Sequence, residues 1–317
     1  MRRGRYAPSP SGHLHIGNAF TALLAWLHMR KAGGRFVLRI EDIDRDRCRP
    51  EYEEALLDDL RWLGLDWDEG PDVGGPYGPY RQSERIGLYE DALGRLLKDG
   101  RLYPCTCTRA QLKAIASAPH GLASEGPAYP GFCRGRRLTP DIAQSRHALR
   151  FRLPDEPLSF RDGVFGGQTF PPGAGGDFIV KRSDGLFGYQ LAVAVDDAAM
   201  GITDVLRGED LLDSTPRQIF LLRALGLPVP QYAHVPLIVG EDGKRLAKRH
   251  GAVTLRELRN MGVSARRLAG CLAHWAGLLD RPEPAAPREL VPLFSLSVLR
   301  KTPVVFDEAK RRQLFAP

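Results

Sequence analysis

The spacing of apolar side chains in the first hundred residues changes from strand-like to helical and back. Residues 18–31 carry apolar side chains on one helical stripe, and the glycine pair at 33–34 is a suitable helix stop. Residues 5–12 indicate a short strand that breaks into a proline-containing loop, residues 35–40 a second strand, and residues 51–63 a second helix. This order of strand, loop, helix, strand and helix predicts a parallel nucleotide-binding sheet.

The rest of the chain indicates an interrupted second half of that sheet, followed by helices. Residues 101–176, with their cysteines and short β-prone pieces, are interpreted as an insertion. The other predicted elements are a loop at 71–81, helices at 83–99, 215–225, 254–260, 264–278 and 307–314, strands at 148–153, 177–180, 189–195 and 235–239, a polar loop at 240–250 and a proline-rich linker at 280–289. We therefore divide the chain into four parts, 1–100, 101–176, 177–252 and 253–317, of which the last is a small helical domain.

Composition narrows the class of protein. Of the 317 residues, 43% are hydrophobic and 26% are charged, as in an ordinary globular enzyme. No apolar run approaches the roughly 20 residues that span a bilayer, and the arginine-rich N-terminus lacks the apolar core of a signal peptide. An odd set of five cysteines fits a reducing compartment. We expect a cytoplasmic protein without a membrane partner.

Positive charge is concentrated towards the C-terminus. Residues 244–317 hold 15 Lys+Arg and 6 Asp+Glu, a net charge of +9, whereas the remaining residues net −2. The excess indicates either a contact with a polyanion such as RNA or a solvated, arginine-rich surface. The basic residues expected to face RNA are Arg256, Arg259, Arg266, Arg267, Arg300, Lys301, Lys310, Arg311 and Arg312.

Two polar segments flanked by glycine could bind phosphate. His13, His15 and Gly17 lie between the first strand and the first helix, where backbone N–H groups and the helix dipole favour an anion. Residues 243–251 place four cations within six positions between two glycines. Each segment has an ordinary alternative, which is a structural histidine pair for the first and a solvated loop for the second.

Taken together, the two segments resemble the signature motifs of the class I aminoacyl-tRNA synthetases. The first reads Ser-Pro-Ser-Gly-x-x-His-Ile-Gly at residues 9–17, and the second reads Arg-Leu-x-Lys-Arg at residues 245–249. Three further segments, at 38–45, 80–85 and 195–197, are similar to the glutamyl branch of that family.

Within that branch, residues 189–221 look most like the glutamyl-Q tRNA(Asp) synthetases. These are short paralogues, without an anticodon-binding domain, that are understood to attach glutamate to the queuosine base of tRNA(Asp). The length agrees, since nothing after Leu314 is expected to form a further domain. Two segments, 248–252 and 294–307, are closer to ordinary glutamyl-tRNA synthetases. Ala247 also stands where the family usually has a hydroxyl residue.

The resemblance implies an α/β fold in which a Rossmann-like parallel sheet carries an inserted zinc-containing subdomain and a small C-terminal helical domain. It implies activation of L-glutamate by ATP with Mg²⁺ to glutamyl-adenylate, and transfer of the glutamyl group to tRNA(Asp) carrying queuosine, by a monomer. Catalysis would come from His15 and Lys248, which stabilise charge on the phosphates. The ATP-binding residues would be Ser11, Gly12, His13, His15, Gly17, Asn18, Arg245, Leu246 and Lys248.

The resemblance also assigns a glutamate pocket. In it, Arg5 would hold the γ-carboxylate and Glu41 the ammonium group, while Tyr189 and Arg207 line the walls. A guanidinium suits a carboxylate because its N–H groups form a bidentate fork. The full set of implied contacts is Arg5, Ala7, Ser9, Glu41, Tyr189 and Arg207.

A metal site is the other candidate. Cys105, Cys107 and Cys133 are thiols of the kind that bind zinc, which takes four ligands in structural sites. The resemblance implies Tyr129 as the fourth ligand. His120 and His147 are chemically commoner alternatives, and three reduced cysteines without metal are another. Cys48 and Cys271 are expected to stay unligated.

Three other functions compete with this interpretation. The chain could be a minimal glutamyl-tRNA synthetase that charges a tRNA 3′ end, a non-catalytic tRNA-binding adaptor, or a nucleotidyltransferase that acts on a small metabolite. Only Ala247 favours the adaptor, because the other signature residues are present.

Overall fold

The computed structural model describes residues 1–108, 111, 121–122, 126–127, 129–244, 246 and 253–315. The strands in this part are β1 Arg3–Tyr6, β2 Arg35–Leu38, β3 Leu102–Cys105, β4 Gly121–Leu122, β5 Gly126–Pro127, β6 Ala148–Phe151, β7 Leu158–Asp162, β8 Gly166–Phe170, β9 Phe178–Lys181, β10 Asp204–Gly208, β11 Gln231–Val235, β12 Ile238–Val239 and β13 Val304–Val305. The helices are α1 Ile16–Lys31, α2 Pro50–Trp62, α3 Ile86–Lys98, α4 Pro140–Gln144, α5 Tyr189–Ala199, α6 Thr215–Ala224, α7 Leu255–Asn260, α8 Ala265–Ala276, α9 Pro287–Leu290 and α10 Glu308–Phe315.

A parallel four-stranded sheet in the order β11-β10-β1-β2 forms the centre of the fold. Its strands alternate between two cores, as the two-residue period of a strand requires. In β2, for example, Phe36 and Leu38 face a core shared with α1 and the C-terminal helices, whereas Val37 faces a core shared with α3, α5 and α6. The sheet is therefore covered on both faces, which is the arrangement expected for parallel strands.

Helix α1 is buried nearly all round, more than its predicted stripe suggested, because the C-terminal helices cover its outer side. It ends at Ala32, and Gly33 follows with φ of +60°, a conformation that glycine adopts without strain. The predicted helix and its glycine stop are thus confirmed, with the start two residues earlier.

Strands β3 and β6 of the insertion form an antiparallel sheet with β9, which follows the insertion, in the order β3-β6-β9. The hairpin β7–β8 is separate. The turn of this hairpin reaches the central sheet, where the backbone N–H of Gly163 donates to the carbonyl of Tyr232 in β11 at 2.9 Å. Among the described residues, no helix is both long and apolar enough to cross a membrane.

Three predicted elements are wrong. Residues 189–195 form the helix α5 rather than a strand, because Gln190 to Asp197 are all buried and leave no polar stripe to reveal the helical period. The strand predicted at 235–239 lies earlier, as β11, and β12 is a separate two-residue piece. Strand β10 was not predicted, and the linker at 280–289 contains the start of α9.

Candidate active site

A cavity of about 540 Å³ opens at the carboxyl ends of β1 and β10, where the sheet order reverses direction. Ligands of open α/β sheets bind at this place because the connections diverge there and leave a crevice. Twelve of the residues singled out from the sequence line it together: Arg5, Ala7, Ser9, Ser11, Gly12, His13, His15, Gly17, Asn18, Glu41, Tyr189 and Arg207.

The start of α1 forms one end of the cavity, where the sequence predicts phosphate binding. His15 caps the helix, its Nδ1 accepting from the N–H of Gly17 at 3.1 Å, and Asn18 Oδ1 accepts from the N–H of His15 at 3.2 Å. Because Nδ1 is an acceptor, a neutral His15 carries its proton on Nε2, which is then a donor. No acidic side chain stands in the first helical turn, so the helix dipole is left to attract an anion.

His13 supplies a second polar group at this end. Its Nδ1 is buried and has no hydrogen-bond partner in the part of the chain that the structure describes. Its ring packs edge-on against Tyr52, with centroids 5.2 Å apart. A buried polar atom without a partner is costly, so this nitrogen is suited to a ligand that enters the cavity.

The other end of the cavity, where the sequence predicts glutamate, is built on a chain of buried ion pairs. Asp197 Oδ1 accepts from Arg5 Nε at 3.2 Å and from Arg39 Nη1 at 2.6 Å. Arg39 Nη2 in turn donates to Glu41 Oε1 at 3.1 Å. The two Nη groups of Arg5 make no hydrogen bond to a described residue, so a bidentate fork remains available to the cavity.

These charges balance within a single cluster. The next acid, Asp196, accepts from Arg85 at 2.6 Å, so three guanidinium groups (Arg5, Arg39 and Arg85) face three carboxylates (Glu41, Asp196 and Asp197). Burial raises the pKa of Glu41, although Arg39 and Arg5 oppose the shift. Burial also acts on Asp197, but the two arginines prevail and lower its pKa. Asp197 thus stays ionised between them.

Arg207, a residue of β10, lies in the opposite wall of the cavity. Most of its N–H groups already donate to neighbouring residues. Nε donates to His234 Nε2 at 3.1 Å and Nη1 to Gln218 Oε1 at 2.8 Å. Nη2 donates to Thr215 Oγ1 at 2.9 Å and to the carbonyl of Leu211 at 3.3 Å. Of its five N–H groups, one on Nη1 remains for a ligand among the described residues.

Tyr189 begins α5 and keeps 39% of its surface exposed to the cavity. Removal from bulk water raises the pKa of its hydroxyl, so it stays a neutral hydrogen-bonding group. Gly188 precedes it because a side chain there would lie 2.3 Å from the carbonyl oxygen of Ile179.

The second signature segment falls mostly outside the described residues. Arg245 and Lys248, both predicted to bind ATP, and Ala247 are among those that are not described. Leu246 is described. It is 5% exposed, packs in the core beside α1 and does not line the cavity.

The cysteines of the insertion converge. The sulfur atoms of Cys105, Cys107 and Cys133 all lie within 4.8 Å of one another, and those of Cys107 and Cys133 are 3.6 Å apart. The Tyr129 hydroxyl lies 3.6 Å from Cys105 Sγ and 3.5 Å from Cys107 Sγ. The cluster could hold a metal ion, and Cys48 and Cys271 are not part of it.

The donor set fits zinc. A zinc ion about 2.3 Å from each sulfur in a tetrahedron requires sulfurs about 3.8 Å apart, close to the observed separation. Burial of Cys133 is outweighed by hydrogen bonds from Tyr129 and from the backbone of Thr106, which lower its pKa to about 7. The guanidinium of Arg150 lies 3.8 Å above the Tyr129 ring and fixes its position. His147 is not in the cluster, and His120 lies outside the described residues.

Of the nine C-terminal cations predicted to face RNA, one is buried, four are in ion pairs and four are exposed without one to a described residue. Arg267 is 8% exposed and donates to the carbonyls of Gln313 and Pro282, so its prediction as an RNA-facing charge is wrong. Arg259 pairs with Asp58, Arg266 with Glu289, Lys310 with Asp307, and Arg311 with Glu308. The exposed cations without an ion pair to a described residue are Arg256, Arg300, Lys301 and Arg312.

Several groups that shape the cavity carry no local signal of their role. Asp197 was noticed only as part of a motif, and His234, Gln218 and Thr215 were not singled out. Their partners lie 8 to 192 residues away in the chain, so only the fold brings them together. A charged residue beside apolar residues in a short segment, as Arg207 is in β10, is a signal that could have pointed to buried partners nearby.

Comparison with known proteins gives a consistent result. Residues 2–274 match the family model "tRNA synthetases class I (E and Q), catalytic domain". The chain is 66% identical to a glutamyl-Q tRNA(Asp) synthetase of Symbiobacterium thermophilum and 51% identical to one of Nitratidesulfovibrio vulgaris, in each case over 96% of this chain and 95% of the relative. A crystal structure of a glutamate tRNA ligase from Elizabethkingia meningosepticum, in complex with its amino acid, superposes with a TM-score of 0.84 at 30% identity over 99% of this chain and 68% of that one.

Proposed function

Because the chain belongs to the class I glutamyl- and glutaminyl-tRNA synthetase family, and within it to the glutamyl-Q tRNA(Asp) synthetases, we propose that it activates L-glutamate with ATP and transfers the glutamyl group to queuosine in tRNA(Asp). The choice of queuosine as the acceptor rests on the similarity to a glutamyl-Q tRNA(Asp) synthetase. This chain is 66% identical to that relative over 95% of the relative's length. The cavity at the β1–β10 crevice supports the activation step.

In the first step, an oxygen of the glutamate α-carboxylate attacks the α-phosphorus of ATP, and the bond to the bridging oxygen breaks to release pyrophosphate. Such a reaction depends on positioning and on stabilising charge rather than on a protein nucleophile. The N–H groups at the start of α1, His13 Nδ1 and His15 Nε2 are suited to bind the phosphates. Lys248 would complete the charge stabilisation from the second signature segment.

The same cavity can orient glutamate between opposite charges. Arg5 offers its two Nη groups to the γ-carboxylate, and Glu41 offers a carboxylate to the ammonium group. Arg207, with a single N–H left, can donate to one further oxygen. In the second step, a hydroxyl of the acceptor attacks the glutamyl carbonyl and AMP leaves.

Two metals accompany this proposal. Cys105, Cys107, Cys133 and Tyr129 would hold one structural zinc ion that ties the insertion together, and no step of the reaction passes through it. Mg²⁺ would arrive with ATP, because it usually keeps waters and phosphate oxygens as ligands. The division into four domains, the monomeric state and the cytoplasmic location stay predictions.

The acceptor is tested with three forms of tRNA(Asp): with queuosine, without queuosine, and with queuosine but lacking the 3′-terminal adenosine. We expect labelled glutamate on the first and third only. Labelling of the first two but not the third would support the rival function, a minimal glutamyl-tRNA synthetase. Glutamate-dependent pyrophosphate exchange should occur without any tRNA, and silence until tRNA is added would count against membership in the glutamyl-Q group.

RNA binding is tested through its dependence on salt. The double variant Arg300→Ala/Lys301→Ala should weaken tRNA binding and flatten the slope of log K against log salt, by roughly 0.7–0.9 for each phosphate that is no longer neutralised. Pyrophosphate exchange should be unchanged. Lys98→Ala/Arg101→Ala removes two exposed charges from the acidic part of the chain and is the matched control. If both double variants bind tRNA with the same affinity and the same salt slope, these C-terminal charges face only solvent.

A further inference from the structure

Asp162, the last residue of β7, places its carboxylate against strand β11 of the central sheet. Asp162 is 2% exposed, and its Oδ1 accepts from the N–H groups of Val164 and Phe165, both at 2.9 Å. Its Oδ2 lies 2.7 Å from Nδ1 of His234, a residue of β11 that is fully buried. The backbone N–H of His234 donates to Oδ2 as well, at 3.1 Å.

This carboxylate fixes the tautomer of His234. An ionised carboxylate can only accept, so the proton of a neutral His234 lies on Nδ1 and its Nε2 presents a lone pair. That lone pair faces the Nε–H of Arg207 at 3.1 Å. Thr215 Oγ1 lies 3.1 Å from the same histidine nitrogen. The opposite tautomer, or an imidazolium, would present an N–H to both neighbours and remove the acceptor of the guanidinium.

Arg207 therefore depends on this pair for its orientation. Its remaining bonds go to Gln218 and Thr215, which do not line the cavity, and to the backbone carbonyl of Leu211, which does line it. Nε is the nitrogen nearest the side-chain stem, so losing its acceptor leaves the guanidinium held through its Nη groups alone. The single N–H left on Nη1 would then shift from the place in the cavity at which it points.

We propose that Asp162 and His234 are positioning residues for glutamate binding, which act by holding His234 in the tautomer that accepts from Arg207. This inference rests on the proposed function, because it takes the ligand of Arg207 to be glutamate. Neither residue lines the glutamate cavity, so both act through Arg207. The insertion thereby contributes a group to amino-acid recognition in the catalytic half.

Asp162→Asn is the sharpest test. Oδ1 accepts from the N–H groups of Val164 and Phe165 and lies 3.3 Å from that of His234, which favours the amide oxygen at this place. The amide NH₂ then takes the place of Oδ2, gives up the backbone bond from His234 there, and donates to His234 Nδ1. The proton of His234 then moves to Nε2 and opposes Arg207. The same exchange gives the wrong histidine tautomer in the Ser-His-Asp triads of proteases. We expect KM for glutamate to rise on the order of 10- to 100-fold, as for loss of a hydrogen bond to a charged group, with KM for ATP unchanged.

A second pair of variants separates positioning from folding. His234→Phe keeps a ring but has no acceptor and should raise KM for glutamate in the same way. His234→Gln can place its amide oxygen near the position of Nε2 and should restore most of the affinity. The matched control is His274→Phe, since His274 is a half-buried histidine whose Nδ1 lies 2.9 Å from the carbonyl of Leu279 in the C-terminal helices. It should leave both KM values unchanged.

Imidazole ¹⁵N spectra provide a readout that does not depend on activity. We expect protonated Nδ1 in the unmodified protein and protonated Nε2 in Asp162→Asn. If the unmodified protein shows no glutamate-dependent pyrophosphate exchange, the proposed function is overturned. With exchange intact, an unchanged tautomer in Asp162→Asn, or a changed tautomer with unchanged KM for glutamate, would overturn the positioning role.

Discussion

Asp197 is the residue on which the buried charge cluster depends most. Its ion pairs to Arg5 and to Arg39 end on the same oxygen, Oδ1. Asp197→Asn can keep that oxygen as an acceptor for both arginines and preserve the volume of the side chain. The substitution therefore removes one negative charge and little else.

The size of the effect follows from burial and charge balance. Asp197, Arg5 and Arg39 are 2%, 5% and 0% exposed. The cluster changes from neutral to a net charge of +1 in a place from which water is largely excluded, and breaking a buried pair of this kind costs about 3–5 kcal/mol. Because domains are typically stable by about 5–15 kcal/mol, the variant should still fold.

Urea unfolding of Asp197→Asn should show a free energy of unfolding lower by about that amount. KM for glutamate should rise as well, because the negative charge between Arg5 and Arg39 is lost while Arg39 still pairs with Glu41. Glu289→Gln, which removes a carboxylate from the fully exposed pair with Arg266, is the control and should leave the urea midpoint unchanged. A loss below about 1 kcal/mol, with KM for glutamate unchanged, would refute the idea that one charge balances this cluster.

Three further outcomes are expected. Lys248→Ala should reduce adenylate formation about 10²–10³-fold, as when one hydrogen bond to the transition state is removed. Arg249→Ala should have little effect. Equal, mild losses in both variants would show that the motif is misaligned. Zinc should co-purify at about one ion per chain and fall in Cys105→Ser, and metal analysis of protein purified without chelators that finds no zinc would refute the metal site. Burial and the nearby guanidinium of Arg207 lower the pKa of His234 to about 4. The neutral form of His234 therefore stabilises the fold fully above about pH 6.5. This stabilisation, roughly 3 kcal/mol at most, is lost as the pH falls to about 4. The curve of unfolding free energy against pH should be flatter for His234→Gln in this window, and parallel curves would show that His234 titrates normally.

The sequence was most informative where local chemistry and local structure coincide. The turn at 9–17 combines prolines, glycines and a helix start, so the pattern predicts both its shape and a place suited to an anion. The thiols of Cys105, Cys107 and Cys133 likewise have few roles other than metal binding at such spacing. The parallel sheet, the family and the cavity-lining residues could all be predicted from features of this kind.

Prediction failed where long-range contacts override local preference. Helix α5 is buried on every side, and its valines favour a strand by propensity, so only packing decides its form. Strand β10 contains Asp204 and Arg207, charges that a buried strand excludes unless they are paired. Their partners are Arg2, 202 residues away, and His234, 27 residues away, which no local pattern relates to them.

The order of the central sheet has a consequence for the nascent chain. Strand β1 lies between β2, which is made soon after it, and β10, whose Asp204 pairs with Gly4. At about 5–20 residues per second, the ribosome needs roughly 10–40 s to make the intervening 200 residues. During that time one edge of β1 has no native strand to pair with, and an open edge invites incorrect partners. The crevice between β1 and β10, which forms the cavity, is therefore complete only after most of the insertion has left the ribosome.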